Sequence, residues 1–332
     1  MGGNDHCRAM GVPGEPPGTR KGCHYGFNAS LLTQHNAVSY AVIMKQKLPS
    51  IKKSLSMKPR LVKIYSENND FQYIETLRRK REKRQRQREF FIEGVRPINQ
   101  ALKYDWTINA FVYSREKALS DWAKNILAHS QAKTHFEVPL PLLEKLSNKN
   151  EPSEILALVA MPEDDLARIP VKDNMLVVVF DRPASPGNLG TIIRSCDALR
   201  VDGLIISGHS VDLYDPETIS ATTGSLFALP TVRLPSHKDL LPWLDMINQQ
   251  IGPIQIVGSD EKAKHDITEQ DFTQPTLLVV GNETWGMSAG YHELCSATVN
   301  IPIYGSASSL NVACATSILL YEIDRQRRNA QL

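Results

Sequence analysis

No stretch of this 332-residue chain approaches the roughly 18 to 20 consecutive apolar residues that a helix needs to cross a bilayer. The N-terminus also lacks the uninterrupted apolar core of a signal peptide. A soluble, cytoplasmic protein with no membrane contact is the expectation. Cysteine is sparse: Cys7, Cys23, Cys196, Cys295 and Cys314 are an odd set without C-x-x-C spacing, which argues against a disulfide framework and a zinc cluster. His292 and Cys295 can share a helical face as two metal ligands, but no second pair accompanies them, and no metal is expected. Acidic residues are missing between Glu15 and Glu67. That segment mixes Gly, Pro, Ser and Lys without sustained periodicity, so residues 1–60 read as a disordered leader. A lack of acids also characterises mitochondrial transit peptides, which would place the protein in the mitochondrion, although Arg is scarce and no clear amphipathic helix appears. Met44 and Met57 stand as alternative starts. Finally, there is no G-x-G-x-x-G after a strand, no G-x-x-x-x-G-K-[ST], no G-x-S-x-G and no H-E-x-x-H. A Rossmann dinucleotide site, a P-loop, a nucleophile elbow and a zinc-protease helix all lose their anchor.

What is present is globular in balance. With 42% hydrophobic and 22% charged residues, the length suits one large or two ordinary domains. The net charge of +2 hides a basic run within residues 61–89. Arg78, Arg79, Lys80, Arg81, Lys83, Arg84, Arg86 and Arg88 are interrupted there only by Glu82 and two glutamines. Such a run is either a phosphate-binding patch or the solvated face of a helical or flexible segment.

From Phe90 helices and strands alternate. Helical spacing covers Glu93 to Lys103, Leu119 to Ala128 and Pro141 to Leu146, while Thr107 to Tyr113, Phe136 to Val138 and Ile155 to Ala160 read as strands. This α/β module spans 90–162, and a polar linker, 163–174, follows. Residues 175–332 carry apolar strands at Leu176 to Phe180, Gly203 to Ser207, Ile254 to Val257, Leu277 to Val280 and Val299 to Ile303, with helices at Ile192 to Leu199 and Asn311 to Arg325. Strands that are apolar throughout and separated by helices indicate a mostly parallel sheet covered on both faces.

Three polar, glycine-bearing segments follow strands of that sheet, where ligands of parallel α/β proteins bind. The first runs from Phe180 through Asn188 and Gly190 to Arg194. There Asn188 and Gly190 can turn the backbone at a helix start, and Asn188 is either a plain cap or a site residue. Arg194 is either a surface ion-pair partner or a group reaching back over the loop. The second, Val280-Gly-Asn-Glu-Thr-Trp-Gly, offers Glu283 as an acceptor between two glycines that permit close backbone approach. Trp285 beside it is either a ring-stacking residue or a packed aromatic. The third runs from Ile301-Pro-Ile to Ser309-Leu-Asn311, before a helix of small residues, where Asn311 is a plausible cap.

In this order the segments resemble the three motifs of the SpoU (TrmH-like) branch of the SPOUT RNA methyltransferases, N-x-G-x-x-x-R, G-x-E-x-x-G and I-P-[MI] with S-L-N-V. Ser220 to Pro230 resembles a further segment of the same family. The module from Phe91 to Ala160 is similar to the L30e-like substrate-binding domain often fused to it. The resemblance implies an α/β fold whose C-terminal domain is a trefoil-knotted parallel sheet preceded by a small L30e-like domain. It implies methyl transfer from S-adenosylmethionine to a ribose 2′-hydroxyl, without a metal, in ribosomal RNA in preference to transfer RNA. Arg194 becomes the key catalytic residue, with Asn188, Glu283, Ser309 and Asn311 positioning it and the ribose. Gly281, Ile301 and Leu310 line the methyl-donor pocket. Arg78, Arg79, Arg81, Arg84 and Arg96 are the candidate RNA contacts, and a homodimer through the knot domain is expected. A non-catalytic RNA-binding protein of the same fold and a Rossmann-like enzyme acting on a small metabolite are the competing readings.

Overall fold

The computed structural model describes residues 58–330, so the expected leader lies outside the described residues up to residue 57. The N-terminal module is a five-stranded mixed sheet of β1 (Arg60–Lys63), β2 (Glu89–Glu93), β3 (Ile108–Tyr113), β4 (Thr134–Glu137) and β5 (Ile155–Ala160), in spatial order β1-β4-β3-β5-β2. Strand β1 lies at the edge, parallel to β4, and extends the sheet with the last residue of the expected leader and the first three of the expected basic segment.

Helices α1 (Asn69–Arg79), α2 (Arg81–Gln87), α3 (Val95–Lys103), α4 (Asp121–His129) and α5 (Leu140–Leu146) complete the module. The basic run is therefore helical. Asn68 opens α1 by accepting from the Phe71 N–H at 3.0 Å. Phe71, Ile74 and Leu77, three residues apart, turn one face of α1 into a core shared with Phe91, Val112 and Leu156. The module thus begins well before residue 90. The stripe that shows this is three residues wide and was masked by the surrounding arginines.

The C-terminal domain runs through β6 (Leu176–Asp181), α6 (Pro186–Ala198), β7 (Gly203–Ser207), α7 (Pro216–Thr222), β8 (Thr231–Leu234), α8 (Leu241–Ile251), β9 (Gln255–Ser259), β10 (His265–Asp266), β11 (Thr276–Val280), α9 (Ala289–Leu294), β12 (Ala297–Asn300) and α10 (Val312–Asn329). Its seven strands are ordered β10-β12-β9-β11-β6-β7-β8, and every pairing is parallel. All residues of β6, β7 and β11 are buried because helices cover both faces. The chain steps outward from β6 to β8, then returns to place β11 on the opposite side of β6. The carboxyl ends of β6 and β11 therefore flank a topological switch point, the place where such sheets bind ligands.

Two boundaries differ from expectation. Helix α6 starts at Pro186 rather than Ile192, because Ser185 caps it and proline suits a first helical position. Strand β12 stops at Asn300, so Ile301 and Ile303 fall in the following loop.

The two domains share one apolar core. Phe90 and Trp106 of the N-terminal module meet Tyr214 and Phe227, with Phe90–Tyr214 ring centroids 4.6 Å apart and Trp106–Phe227 5.1 Å apart. The Trp106 indole N–H donates to the Phe227 carbonyl at 3.0 Å. The linker is pinned as well, since Asp164 pairs with Arg233 at 2.6 Å.

Arg84 closes this junction. It is 1% exposed; its Nε donates to Asp212 at 2.8 Å, its Nη2 to Asp215 at 3.1 Å, and its Nη1 to the carbonyls of Leu77 and Arg78. With every guanidinium nitrogen engaged and no surface to present, Arg84 is not an RNA contact, contrary to the expectation from the basic run. Of its companions, Arg78 donates to the Ser147 carbonyl, Arg81 to the Ser210 carbonyl, and Arg79 pairs with Glu75 on its own helix. Arg96, on α3, is exposed.

Candidate active site

The three sequence motifs converge at the switch point. After β6, residues 182–185 lead into α6; after β11, residues 281–288 form a tight loop; after β12, residues 301–311 lead into α10. The second loop is closed by reciprocal backbone hydrogen bonds between Asn282 and Gly286, both 3.0 Å. The Asn282 side chain accepts from the N–H groups of Thr284 and Trp285 and donates to the Arg182 carbonyl at 2.6 Å. Gly286 takes φ +66°, a left-handed conformation that suits glycine. A Cβ on Gly281 would overlap the Gly286 and Met287 backbone, so the close approach at Gly281 is made by the loop itself.

Glu283 joins this loop to the first. Its carboxylate accepts from the backbone N–H of Ala184 at 2.9 Å, from that of Ser185 at 3.0 Å and from the Asn188 amide at 3.3 Å. Asn188 in turn accepts from the Asn311 amide at 3.0 Å. The other end of the Asn311 side chain caps α10, accepting from Ala313 N–H at 2.9 Å. Glu283, Asn188 and Asn311 thus form one hydrogen-bonded chain across all three motifs. Two turns along α6, Ser195 and Ser317 share a hydrogen bond of 2.8 Å, a second polar rung between α6 and α10.

Gly190 has a different place from the one expected. It lies inside α6, where a Cβ would overlap that of Ala221 and stand 2.7 Å from the Thr218 carbonyl. It permits close packing of α6 on α7 and makes no turn.

Arg194 is exposed on the third turn of α6, on the helical face that also carries Gly187 and Thr191. Among the described residues it has no hydrogen-bond or ion-pair partner. Ser309 is likewise exposed and outside the network. Ile301 is half-buried, whereas Leu310 and Tyr304 are 38% and 96% exposed and Trp285 is 77% exposed, neither packed nor stacked on another ring among the described residues. No backbone hydrogen bond engages the N–H groups of residues 303–310 within the described chain.

A layer beneath the loops escaped the sequence reading. Asp181, buried at the end of β6, accepts from the Ser288 N–H at 2.8 Å and from Arg182 Nε at 3.1 Å, and Arg182 Nη2 donates to the Gly286 carbonyl at 3.0 Å. The available signal was an acid-base pair directly ending an apolar strand. Burial pushes the phenol of Tyr291, on α9, up to about 12, so it stays protonated at neutral pH.

His292 faces Asp260 at 3.6 Å, while the Cys295 sulfur packs beside Gly258 and burial raises its thiol to about 11.

Residues 175–321 match the model of the SpoU rRNA methylase family, and residues 68–157 match that of the SpoU L30e-like domain. A 23S rRNA (uridine(2479)-2′-O)-methyltransferase of Streptomyces viridochromogenes is 47% identical over 270 residues, covering 81% of this chain and 94% of the relative. A 23S rRNA (guanosine(2553)-2′-O)-methyltransferase of Bacillus subtilis (strain 168) is 29% identical over 237 residues, 70% of this chain and 88% of the relative. The crystal structure of the SpoU methyltransferase AviRb from Streptomyces viridochromogenes in complex with the cofactor AdoMet matches at a TM-score of 0.76 and 47% identity, covering 79% of this chain and 98% of that one. With its three motifs meeting at the switch point of a parallel sheet, and with relatives matched over nearly their whole length, the chain belongs to the SpoU rRNA methylase family.

Proposed function

We propose that the protein transfers a methyl group from S-adenosylmethionine to a ribose 2′-hydroxyl of ribosomal RNA. The observation that carries this reading is the Glu283–Asn188–Asn311 chain, which fixes the three motif loops against one another at the start of the helix that carries Arg194, an arginine without a partner among the described residues. Ribosomal RNA is favoured over transfer RNA because two relatives aligned over most of their length are both named 23S rRNA methyltransferases.

The loops suit a nucleoside methyl donor. Peptide groups along residues 303–310, unengaged among the described residues, would supply hydrogen-bond donors and acceptors, and the apolar side chains of Ile301 and Leu310 would supply walls for an adenine ring. Gly281 would contribute its backbone. The donor provides an activated methyl group.

The chain's own residues must orient the 2′-hydroxyl and manage its proton. Arg194 orients the hydroxyl; as the bond from methyl to sulfur breaks and the bond from methyl to oxygen forms, the hydroxyl proton passes to water. A guanidinium is a hydrogen-bond donor without an acceptor, so its role is to hold the hydroxyl and stabilise the negative charge that develops on its oxygen. Asn188, Glu283 and Asn311 act by fixing the start of α6, and with it the helix that carries Arg194. Ser309, exposed in the third loop, would help position the ribose and Arg194. Knotting of the loops, a homodimer completing the exposed third loop, and RNA contacts by Arg79, Arg81 and Arg96 belong to the same reading.

The test is methyl transfer from labelled S-adenosylmethionine to separate ribosomal and transfer RNA pools, mapped by resistance to alkaline cleavage. Label at one cleavage-resistant position in ribosomal RNA is expected. Base-linked label, or label confined to transfer RNA, would overturn the proposal.

A further inference from the structure

The N-terminal module carries a pocket remote in sequence from the three motifs. It is an open groove between α4 and the β1-β4-β3 side of the sheet, with a volume of about 630 Å³. His135, on β4 between Leu61 of β1 and Phe111 of β3, lines it. This residue is only 6% exposed, and its ring stands edge-on to Phe111 at 5.9 Å and to Tyr113 at 6.0 Å. Its Nε2 is buried without a hydrogen-bond partner among the described residues. Burial, and then the charge of Arg115, hold its pKa below the ordinary histidine value. The imidazole is therefore neutral at pH 7, with one nitrogen to donate and one to accept.

Three cations, Arg115, Lys117 and Lys124, line the rim; among the described residues the carboxylates nearest to them, Glu137 and Asp121, stand behind the lining as ion-pair partners. The Arg115 guanidinium is held 5.9 Å over the Tyr113 ring and 3.2 Å from Glu137; Lys124 lies 3.4 Å from Asp121. The Lys124–Asp121 pair is exposed and yields readily to a competing anion, while Arg115 is exposed and its partner Glu137 is half-buried. Leu119 and Leu127 form an apolar wall.

An orphaned buried imidazole, an apolar wall and a cationic rim together match the three parts of a nucleotide. We infer that this pocket takes one unstacked nucleotide of the substrate RNA, its phosphate on Arg115, Lys117 and Lys124 and its base between the apolar wall and His135. A paired base in a helix keeps its faces stacked and cannot enter, so the ligand is a nucleotide from a loop or bulge. The inference rests on the reading that the protein acts on ribosomal RNA, and it adds a recognition point outside the methyl-transfer site.

The experiment uses the full chain and transcribed 23S rRNA, with binding measured by filter retention over a salt series in the absence of cofactor. Each phosphate contact to a single strand contributes about 0.7 to the slope of log K against log salt. Lys117→Gln/Lys124→Gln should therefore lower that slope by about 1.4. Both lysines are exposed, so this variant keeps its fold. His135→Phe, checked for folding by its thermal transition, should weaken binding about tenfold with the slope unchanged. In wild type, 4-thiouridine in the transcript should crosslink to residues 113–135, and His135→Phe should remove that crosslink. An unchanged slope and affinity in the lysine variant, or no wild-type crosslink to 113–135, overturns the pocket. Methyl transfer assayed in parallel separates the two claims. Intact transfer with pocket-independent binding sinks the pocket alone, whereas pocket-dependent binding without transfer to any RNA leaves the pocket standing and sinks the activity.

Discussion

Asn188 donates its amide to Glu283 and accepts on its own oxygen from the amide of Asn311, so one side chain carries the link between all three loops of the site. Glu283 must be an acceptor only, because it faces two backbone N–H groups and the Asn188 amide. Glu283→Gln places a donor against donors. Hydrogen bonds to charged groups are worth about 1.5–3 kcal/mol, so unfolding stability in urea should fall by about 2 kcal/mol. The turnover number should drop at least tenfold, because the start of α6 loses its anchor. A variant with wild-type turnover would remove Glu283 from the positioning of Arg194.

Arg194 should behave in the opposite way. It is exposed and unpartnered among the described residues, and surface substitutions away from special features change stability by about 0.5 kcal/mol or less. Arg194→Ala should keep the wild-type unfolding midpoint and S-adenosylmethionine affinity while losing methyl transfer by at least a hundredfold. Arg194→Lys should recover little, because a point charge does not reproduce the planar fork. Calorimetric cofactor binding beside a transfer assay separates these readouts; an active alanine variant would assign the chemistry elsewhere.

Asn188 and Asn311 show both the reach and the limit of the sequence. Each could be recognised as a plausible helix cap, since Asn before or near a helix start is a local signal. Asn311 is indeed the cap of α10, yet its other amide group reaches across 123 positions to Asn188, and no local pattern encodes that distance. The parallel sheet was legible because fully buried strands such as Leu176 to Phe180 are apolar at every position. Arg84 was misread for the converse reason. Its neighbours made it look like one more solvated cation, and the acids that bury it, Asp212 and Asp215, lie 128 and 131 residues away.

Gly190→Ala offers a test of the α6–α7 contact. The added methyl has no free space, with Ala221 and the Thr218 carbonyl already against the backbone. Overpacking of this kind costs about 1–3 kcal/mol. The alanine variant should unfold at correspondingly lower urea, even though alanine is the better helix former by about 1 kcal/mol. Stabilisation instead would mean that the two helices separate freely.

The cysteines differ in reactivity because the thiolate is the nucleophile. Cys314 is exposed, Cys196 is buried, and burial raises Cys295 to about 11 from an ordinary value near 9. Among the described cysteines, iodoacetamide at pH 8 followed by peptide mass mapping should modify Cys314 first and Cys196 and Cys295 only on unfolding. The folded-state pKa of Cys295 lies above the unfolded one. Its stabilising contribution is therefore complete below about pH 9 and declines as pH rises toward 11.

The junction between the domains makes the steepest stability prediction. Arg84→Ala leaves Asp212, whose side chain is 5% exposed, without its counter-charge. Removing one partner of a buried pair costs about 3–5 kcal/mol, whereas replacing both is far milder. Arg84→Met/Asp212→Asn should therefore recover at least half of the stability lost in Arg84→Met alone. Arg79→Met, on the exposed side of the same basic run, should leave the unfolding midpoint unchanged and weaken only RNA binding. Equal stability losses at Arg79 and Arg84 would mean that the run acts as one surface patch; a loss confined to Arg84 divides it into a structural clamp and an outer face available to phosphate.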